Sequence, residues 1–202
     1  MRRTVAILLF DDVEVLDAAG PFEVFAVTDE LSGYQLFQVQ TVALVPGSVR
    51  ARNGLRFVPD HTLESAPAPD VLIVPGGSGS RALLDRPEVL DWIQRQAQRA
   101  EIVASVCTGA RLLARAGLLD GLRATTHYEN IAELAALAPA ATLVADRRFV
   151  DHGRIATSAG IAAGIDLSLH LVARLHGPAT AEKTARYMEY NWSNDGGLQR
   201  RT

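Results

Sequence analysis

The sequence predicts an α/β protein, a single-domain three-layer sandwich in which a mostly parallel sheet carries helices on both faces. Three observations support this. Short apolar runs of strand length alternate with amphipathic stretches of helix length, as in β–α units whose strands are buried on both faces. One such run, Ile102–Val106, ends at Cys107, the only cysteine in 202 residues; a small-residue turn follows, then helical spacing over Arg111–Gly117. No linker, repeat or low-complexity segment divides the chain, so one domain over 1–202 suffices.

Element by element, Thr4–Phe10 is the first buried strand and Pro21–Glu30 the first helix, started by the proline and given an apolar face by Phe22, Val24, Phe25 and Val27. Leu36–Leu44 is the second strand. Val49–Val58 alternates around Asn53-Gly54, a hairpin signal. Val71–Val74 is a buried strand closed by Pro75-Gly76-Gly77, and Pro87–Ala100 a helix with Val89, Leu90, Trp92 and Ile93 on one face. After the Cys107 unit come a short strand at Arg123–Thr126, a helix at Glu129–Leu137, strands at Ala141–Val144, Arg148–Val150 and Arg154–Thr157, and closing helices at Ala162–Leu175 and Ala179–Tyr190.

Composition narrows the function classes. The formal net charge is −3 and no basic patch marks a nucleic-acid surface. The apolar start, through Phe10, is short and runs directly into Asp11-Asp12, so it reads as a strand and not a signal peptide. No run approaches the roughly 20 apolar residues of a membrane helix. A lone cysteine makes no internal disulfide and suits a reducing compartment, so a cytoplasmic protein with no membrane partner is expected. No His/Cys cluster at ligand spacing points to a metal, and no cofactor fingerprint is complete.

The chemistry converges on strand ends. A strand–turn–helix with Cys107 at its corner is a nucleophile elbow, which raises a side chain at the carboxyl end of a parallel sheet. A backbone strained at that corner is expected. A lone cysteine is otherwise a small buried hydrophobe. The helix amino terminus should draw the thiol below its ordinary value of ~8.5, with an ionised carboxylate nearby opposing that shift. Asp17, in the segment after the first strand, is a solvated carboxylate or helix cap, or, if it meets Cys107, a general acid. Gly76 and Gly77 make a plain turn or bring backbone N–H groups to an anionic intermediate. His127 orients or exchanges protons with a thiol, or is structural. Ala159 and Gly160, in the small-residue run before the long helix, fit crowding near the elbow or a simple turn. Asp166 has no firm role from sequence.

Together, Leu16–Pro21, Val74–Gly77, Ser105–Gly109, Ala124–His127, Thr157–Gly160 and Ala163–Asp166 resemble the ThiJ/PfpI family, within the class I glutamine amidotransferase-like superfamily. The resemblance implies a flavodoxin-like sandwich and a homodimer. Thr108 stands where PfpI-type proteases carry a histidine, and His127-Tyr128-Glu129 follows the cysteine too soon for the amidotransferase pair. Cys-Thr-Gly together with Leu-Asp and Gly-Pro looks most like the isocyanide hydratases, which convert an isonitrile and water into an N-substituted formamide. That implies Cys107 as nucleophile, Asp17 as acid/base, Thr108 as a polar contact, and Gly76, Gly77, His127, Ala159 and Gly160 around substrate and developing charge. By the same analogy the pocket accepts small apolar substituents. Thr157–Gly160, Ala163–Val172 and Ala185–Asn191 also resemble the sensor domains of AraC-type regulators. A non-catalytic small-molecule or redox sensor, or a glyoxalase/deglycase-type stress protein, therefore stands as the alternative.

Overall fold

A computed structural model describes residues 1–193. Its centre is one seven-stranded sheet formed by β1 (Arg3–Leu9), β2 (Phe37–Ala43), β5 (His61–Thr62), β6 (Val71–Val74), β7 (Ile102–Val106), β10 (Phe149–Asp151) and β11 (Ile155–Ser158). The spatial order is β10-β11-β7-β6-β1-β2-β5, and only the β10–β11 pair is antiparallel. Central strands β6 and β7 are buried at every position, which is why their sequences are unbroken apolar runs and not alternating ones. Helices α1 (Val15–Leu31), α5 (Ala163–His176) and α6 (Pro178–Tyr187) pack together, as do α2 (Pro87–Arg99), α3 (Ala110–Arg115) and α4 (Ile131–Leu137), giving the expected sandwich. No helix among the described residues is long and apolar enough to cross a membrane.

The structure corrects or adds to the sequence reading at three places. Helix α1 starts at Val15, with Pro21 inside it, although an interior proline removes a hydrogen bond and costs roughly 3 kcal/mol. Contacts of α1 with β1, β2, α5 and α6 outweigh that cost. The shift matters because it moves Asp17 from a loop into the first helical turn. Second, the segments at 123–126 and 141–144 supply β8 (Arg123–Ala124) and β9 (Thr142–Leu143), which pair with each other outside the main sheet. Third, the edge strand β5 is not expected from sequence; two residues between prolines at 59 and 67 give no periodic signal. The hairpin at 49–58 is present as β3 (Val49–Arg50) and β4 (Arg56–Phe57), with Asn53 and Gly54 both at positive φ in the turn.

Candidate active site

Cys107 lies at the carboxyl end of β7, at the corner where a 3-10 turn, Cys107–Gly109, leads into α3. Its φ is +56°, a left-handed conformation that a non-glycine residue adopts at a cost of about 1–3 kcal/mol. The expected strain is therefore present. Its neighbours hold it in place: the Cys107 N–H donates to the Ala159 carbonyl at 3.1 Å, and the Thr126 hydroxyl donates to the Cys107 carbonyl at 2.7 Å. Ala159 is thus a clamp on the elbow, and its own N–H donates to the Arg148 carbonyl at 2.7 Å.

Asp17 is fully buried. Its helix is tied to the glycine loop through the Glu14 N–H, which donates to the Gly76 carbonyl at 2.9 Å, and in return the Gly76 N–H donates to Asp17 Oδ2 at 3.0 Å. The Cys107 thiol and the Ile161 N–H also face this carboxyl. Oδ1 has no partner of regular hydrogen-bond geometry among the described residues. Burial, with the Glu14 carboxylate adding to it, pushes Asp17 up to about 7, against the Gly76 hydrogen bond.

The thiol moves up, against the helix terminus and in the direction an ionised Asp17 favours. Burial first, and the Asp17 carboxylate second, push Cys107 up to about 12, opposed by the N–H and hydroxyl of Thr108 and the N–H of Ile161. Desolvation outweighs the helix terminus because α3 is only six residues long and the sulfur is enclosed. Thiol and carboxyl thus form one enclosed dyad, and burial raises both of them.

The glycine loop is also rearranged relative to expectation. The Gly76 N–H is engaged by Asp17, and the Gly77 N–H donates to Thr108 Oγ1 at 2.9 Å, so neither is left for a substrate anion. A Cβ at Gly76 would lie 2.5 Å from both the backbone nitrogen and the hydroxyl of Thr108, so this contact requires glycine. The N–H groups that reach the sulfur are those of Thr108 and Ile161. Ile161, at φ +55°, is missed by sequence reasoning; nothing in a β-branched side chain announces a left-handed backbone. His127 lies beside this loop: a Cβ on Gly160 would come within 2.2 Å of its ring, so Gly160 admits the imidazole. The His127 Nδ1 accepts from the Glu129 N–H at 3.4 Å.

A pocket of about 280 Å³ opens over Cys107. Thr108, Gly77 and His127 line it, as does Ile161, whereas Asp17, Gly76, Ala159 and Gly160 are not part of the lining. Among the described residues the lining is mostly polar, unlike a pocket for the small apolar substituents expected by analogy. Ile161 is the sole aliphatic side chain of the lining among the described residues, and Glu14, Arg52, Arg81, Arg111 and Glu129 are charged. Sequence reasoning has no means to find these arginines, which come from three separate segments. Among the described residues no group of His, Cys, Asp and Glu is arranged to hold a metal.

A strained cysteine elbow at the end of a parallel strand, paired with a buried carboxyl from the first helix, defines a cysteine-centred α/β protein. The chain belongs to the DJ-1/PfpI family, whose profile matches residues 3–174. It is 40% identical over 190 residues to the isonitrile hydratase of Pseudomonas putida, covering 94% of this chain and 79% of that protein. It is 35% identical over 175 residues to the HTH-type transcriptional regulator GbdR of Pseudomonas aeruginosa, covering 87% of this chain but only 47% of the regulator. Among solved structures, a ThiJ/PfpI family protein from Pseudomonas syringae superposes with a TM-score of 0.85 at 29% identity, over 96% of this chain and 78% of that one.

Proposed function

We propose that the protein hydrates an isonitrile to an N-substituted formamide, using Cys107 as nucleophile and Asp17 as the proton carrier. The observation that carries this reading is the dyad: a thiol held by backbone strain beside a buried carboxyl that titrates near neutrality. The similarity to the isonitrile hydratase over most of both chains supports it.

The steps balance as follows. The Asp17 carboxylate takes the thiol proton while sulfur bonds to the terminal isonitrile carbon, and the carboxylic acid then returns that proton to the same carbon. The result is a thioimidate, R–N=CH–S–Cys107. Water adds to its carbon, giving one proton to Asp17 as it does so. Nitrogen receives that proton, the C–S bond breaks, the remaining hydroxyl proton returns to sulfur, and R–NH–CHO leaves with the free thiol restored. The N–H groups of Thr108 and Ile161 stabilise negative charge on sulfur, in place of the Gly77 N–H expected from sequence. Thr108 also ties the elbow to the glycine loop through the Gly77 N–H. We further infer a homodimer acting in the cytoplasm, where a lone thiol stays reduced.

The test is formation of the formamide from a simple isonitrile, with Cys107→Ser, Asp17→Val and Thr108→Val assayed in parallel and methylglyoxal as competing substrate. Turnover abolished by Cys107→Ser is expected. Turnover of methylglyoxal alone moves the assignment to a glyoxalase, and turnover of neither, with a small molecule still raising Tm, moves it to a sensor.

A further inference from the structure

We propose that the isonitrile accepted by this site carries a compact anionic group, a carboxylate near the isonitrile, bound by the Arg81–Arg111 wall of the pocket. This rests on the hydratase reading of the same site and concerns the part of the substrate that does not react.

The wall is built around a charge imbalance. Arg81 Nη2 donates to Glu133 Oε1 at 3.0 Å, while Arg111 Nη2 donates to Glu133 Oε2. One carboxylate therefore serves two guanidinium groups, and one positive charge is left over. The other acidic groups of the lining do not cancel it. Glu14 is already paired with Arg52 at 2.9 Å. Glu129 and Arg81 are equally open to water, their side chains 67% and 66% exposed, so solvent screens both alike; Glu129 accepts from the Tyr128 hydroxyl and lies 3.9 Å from His127 Nδ1, whereas Arg81 and the buried Arg111 converge on one carboxylate.

Donor geometry points the same way. A guanidinium has five N–H donors in a planar fork. Arg111 uses Nη2 on Glu133 and Nη1 on Ser80 Oγ at 3.2 Å, which makes it the fixed half of the wall. The Arg81 side chain is 66% exposed and bonds to Glu133 through Nη2, so it can turn onto an entering carboxylate without breaking the buried pair. Ser80 Oγ in turn donates to the Gly77 carbonyl at 2.8 Å, which fixes the arginine wall relative to the loop beneath Cys107.

A neutral alkyl isonitrile gains little here. Its substituent would meet Ile161 and otherwise displace water from charged and hydrogen-bonding groups, which costs free energy unless the bonds are replaced. A carboxylate replaces them with charge-assisted bonds.

The experiment compares isocyanoacetate with its neutral ethyl ester, a pair that differs in charge at one end only. Wild type should favour the anion by about tenfold or more in kcat/KM, and rising salt should erode that preference. Arg81→Gln should shrink the anion-to-ester ratio toward one, and Arg81→Lys should restore part of it. An ester turned over as well as the anion by wild type overturns the anionic class and leaves the hydratase reading intact. Binding of the product pair, N-formylglycine and its ethyl ester, is measured alongside by thermal shift. If neither isonitrile reacts but N-formylglycine alone raises the Tm of wild type and not of Arg81→Gln, the hydratase reading fails and the anion wall stands. If neither isonitrile reacts and neither product shifts Tm, both readings fail.

Discussion

A carboxyl enclosed by protein gives up its proton late, and Asp17 does so at about 7 against an ordinary value of 3.8. Between those two pH values the folded state keeps a proton that the unfolded chain has released. The resulting stability is complete below the unfolded value and is lost as pH rises to about 7, with a slope on the order of 1.4 kcal/mol per pH unit. Chemical denaturation of wild type from pH 4 to 8 should show this loss, and Asp17→Asn, neutral throughout, should flatten it. Under the proposed mechanism activity runs the other way, because there the carboxylate takes the thiol proton. kcat/KM should rise with pH to a plateau above about 7, and Asp17→Asn should remove that limb and lower the plateau by about 10²-fold or more. A limb unchanged in the variant would assign it to another group. Two of the crowded glycines make a matched pair. At Gly76 a methyl group meets backbone of the elbow, so Gly76→Ala should cost on the order of 1–3 kcal/mol and most of the activity. At Gly160 it meets the His127 ring, which can turn away, so Gly160→Ala should spare Tm more than it spares activity.

Elements differ in how far they are legible in the sequence. The buried strands announce themselves because Val71–Val74 and Ile102–Val106 are enclosed on both faces and have to be apolar throughout. The elbow is legible for a related reason: an apolar run that stops at a single nucleophile before helical spacing has few other meanings. The start of helix α1 is misread because Pro21 is a strong local signal for a helix start, whereas burial of α1 against its neighbours is a tertiary fact. The carboxyl, cysteine and glycine loop can be named from residue type, but which N–H faces which atom depends on φ and ψ, so neither the engagement of the Gly77 N–H by Thr108 nor the approach of the Ile161 N–H to sulfur has a sequence signature. Thr126 falls inside the Ala124–His127 motif and still gains no role from sequence, since it acts by holding the Cys107 carbonyl from a neighbouring loop. Thr126→Val should therefore cost about 1 kcal/mol of stability and lower kcat more than it raises KM, because it loosens the nucleophile and not the pocket. An effect confined to KM would mean that the elbow holds its strain without this clamp.

At the scale of the whole molecule, the apolar surface is unevenly distributed. Helix α1 does not confine its apolar residues to one side: Val24 and Phe25 are buried in the core while Leu16 and Phe22 face outward. A helix apolar on both sides is stable in water when both are covered. Next to Phe22, the β3–β4 hairpin presents Val58, 84% exposed, across a groove that both residues line. A two-fold pairing of this face would cover the groove with the same elements of a second copy, the commonest closed arrangement for soluble chains. A lasting contact of this kind buries roughly 1,200–2,000 Å² in total, more than these side chains alone supply, so the backbone of α1 and the hairpin must take part. Light scattering at micromolar concentration should give the mass of two chains, and Tm should rise with protein concentration. Val58→Asp is the discriminating variant: the side chain is too exposed to matter to the isolated fold, yet a charge there would meet its own symmetry mate or an apolar surface. It should convert the protein to a folded monomer with unchanged circular dichroism. A dimer that survives the charge would place the contact on another face, and wild type at monomer mass would mean that Leu16 and Phe22 stay open to water without a second copy to cover them.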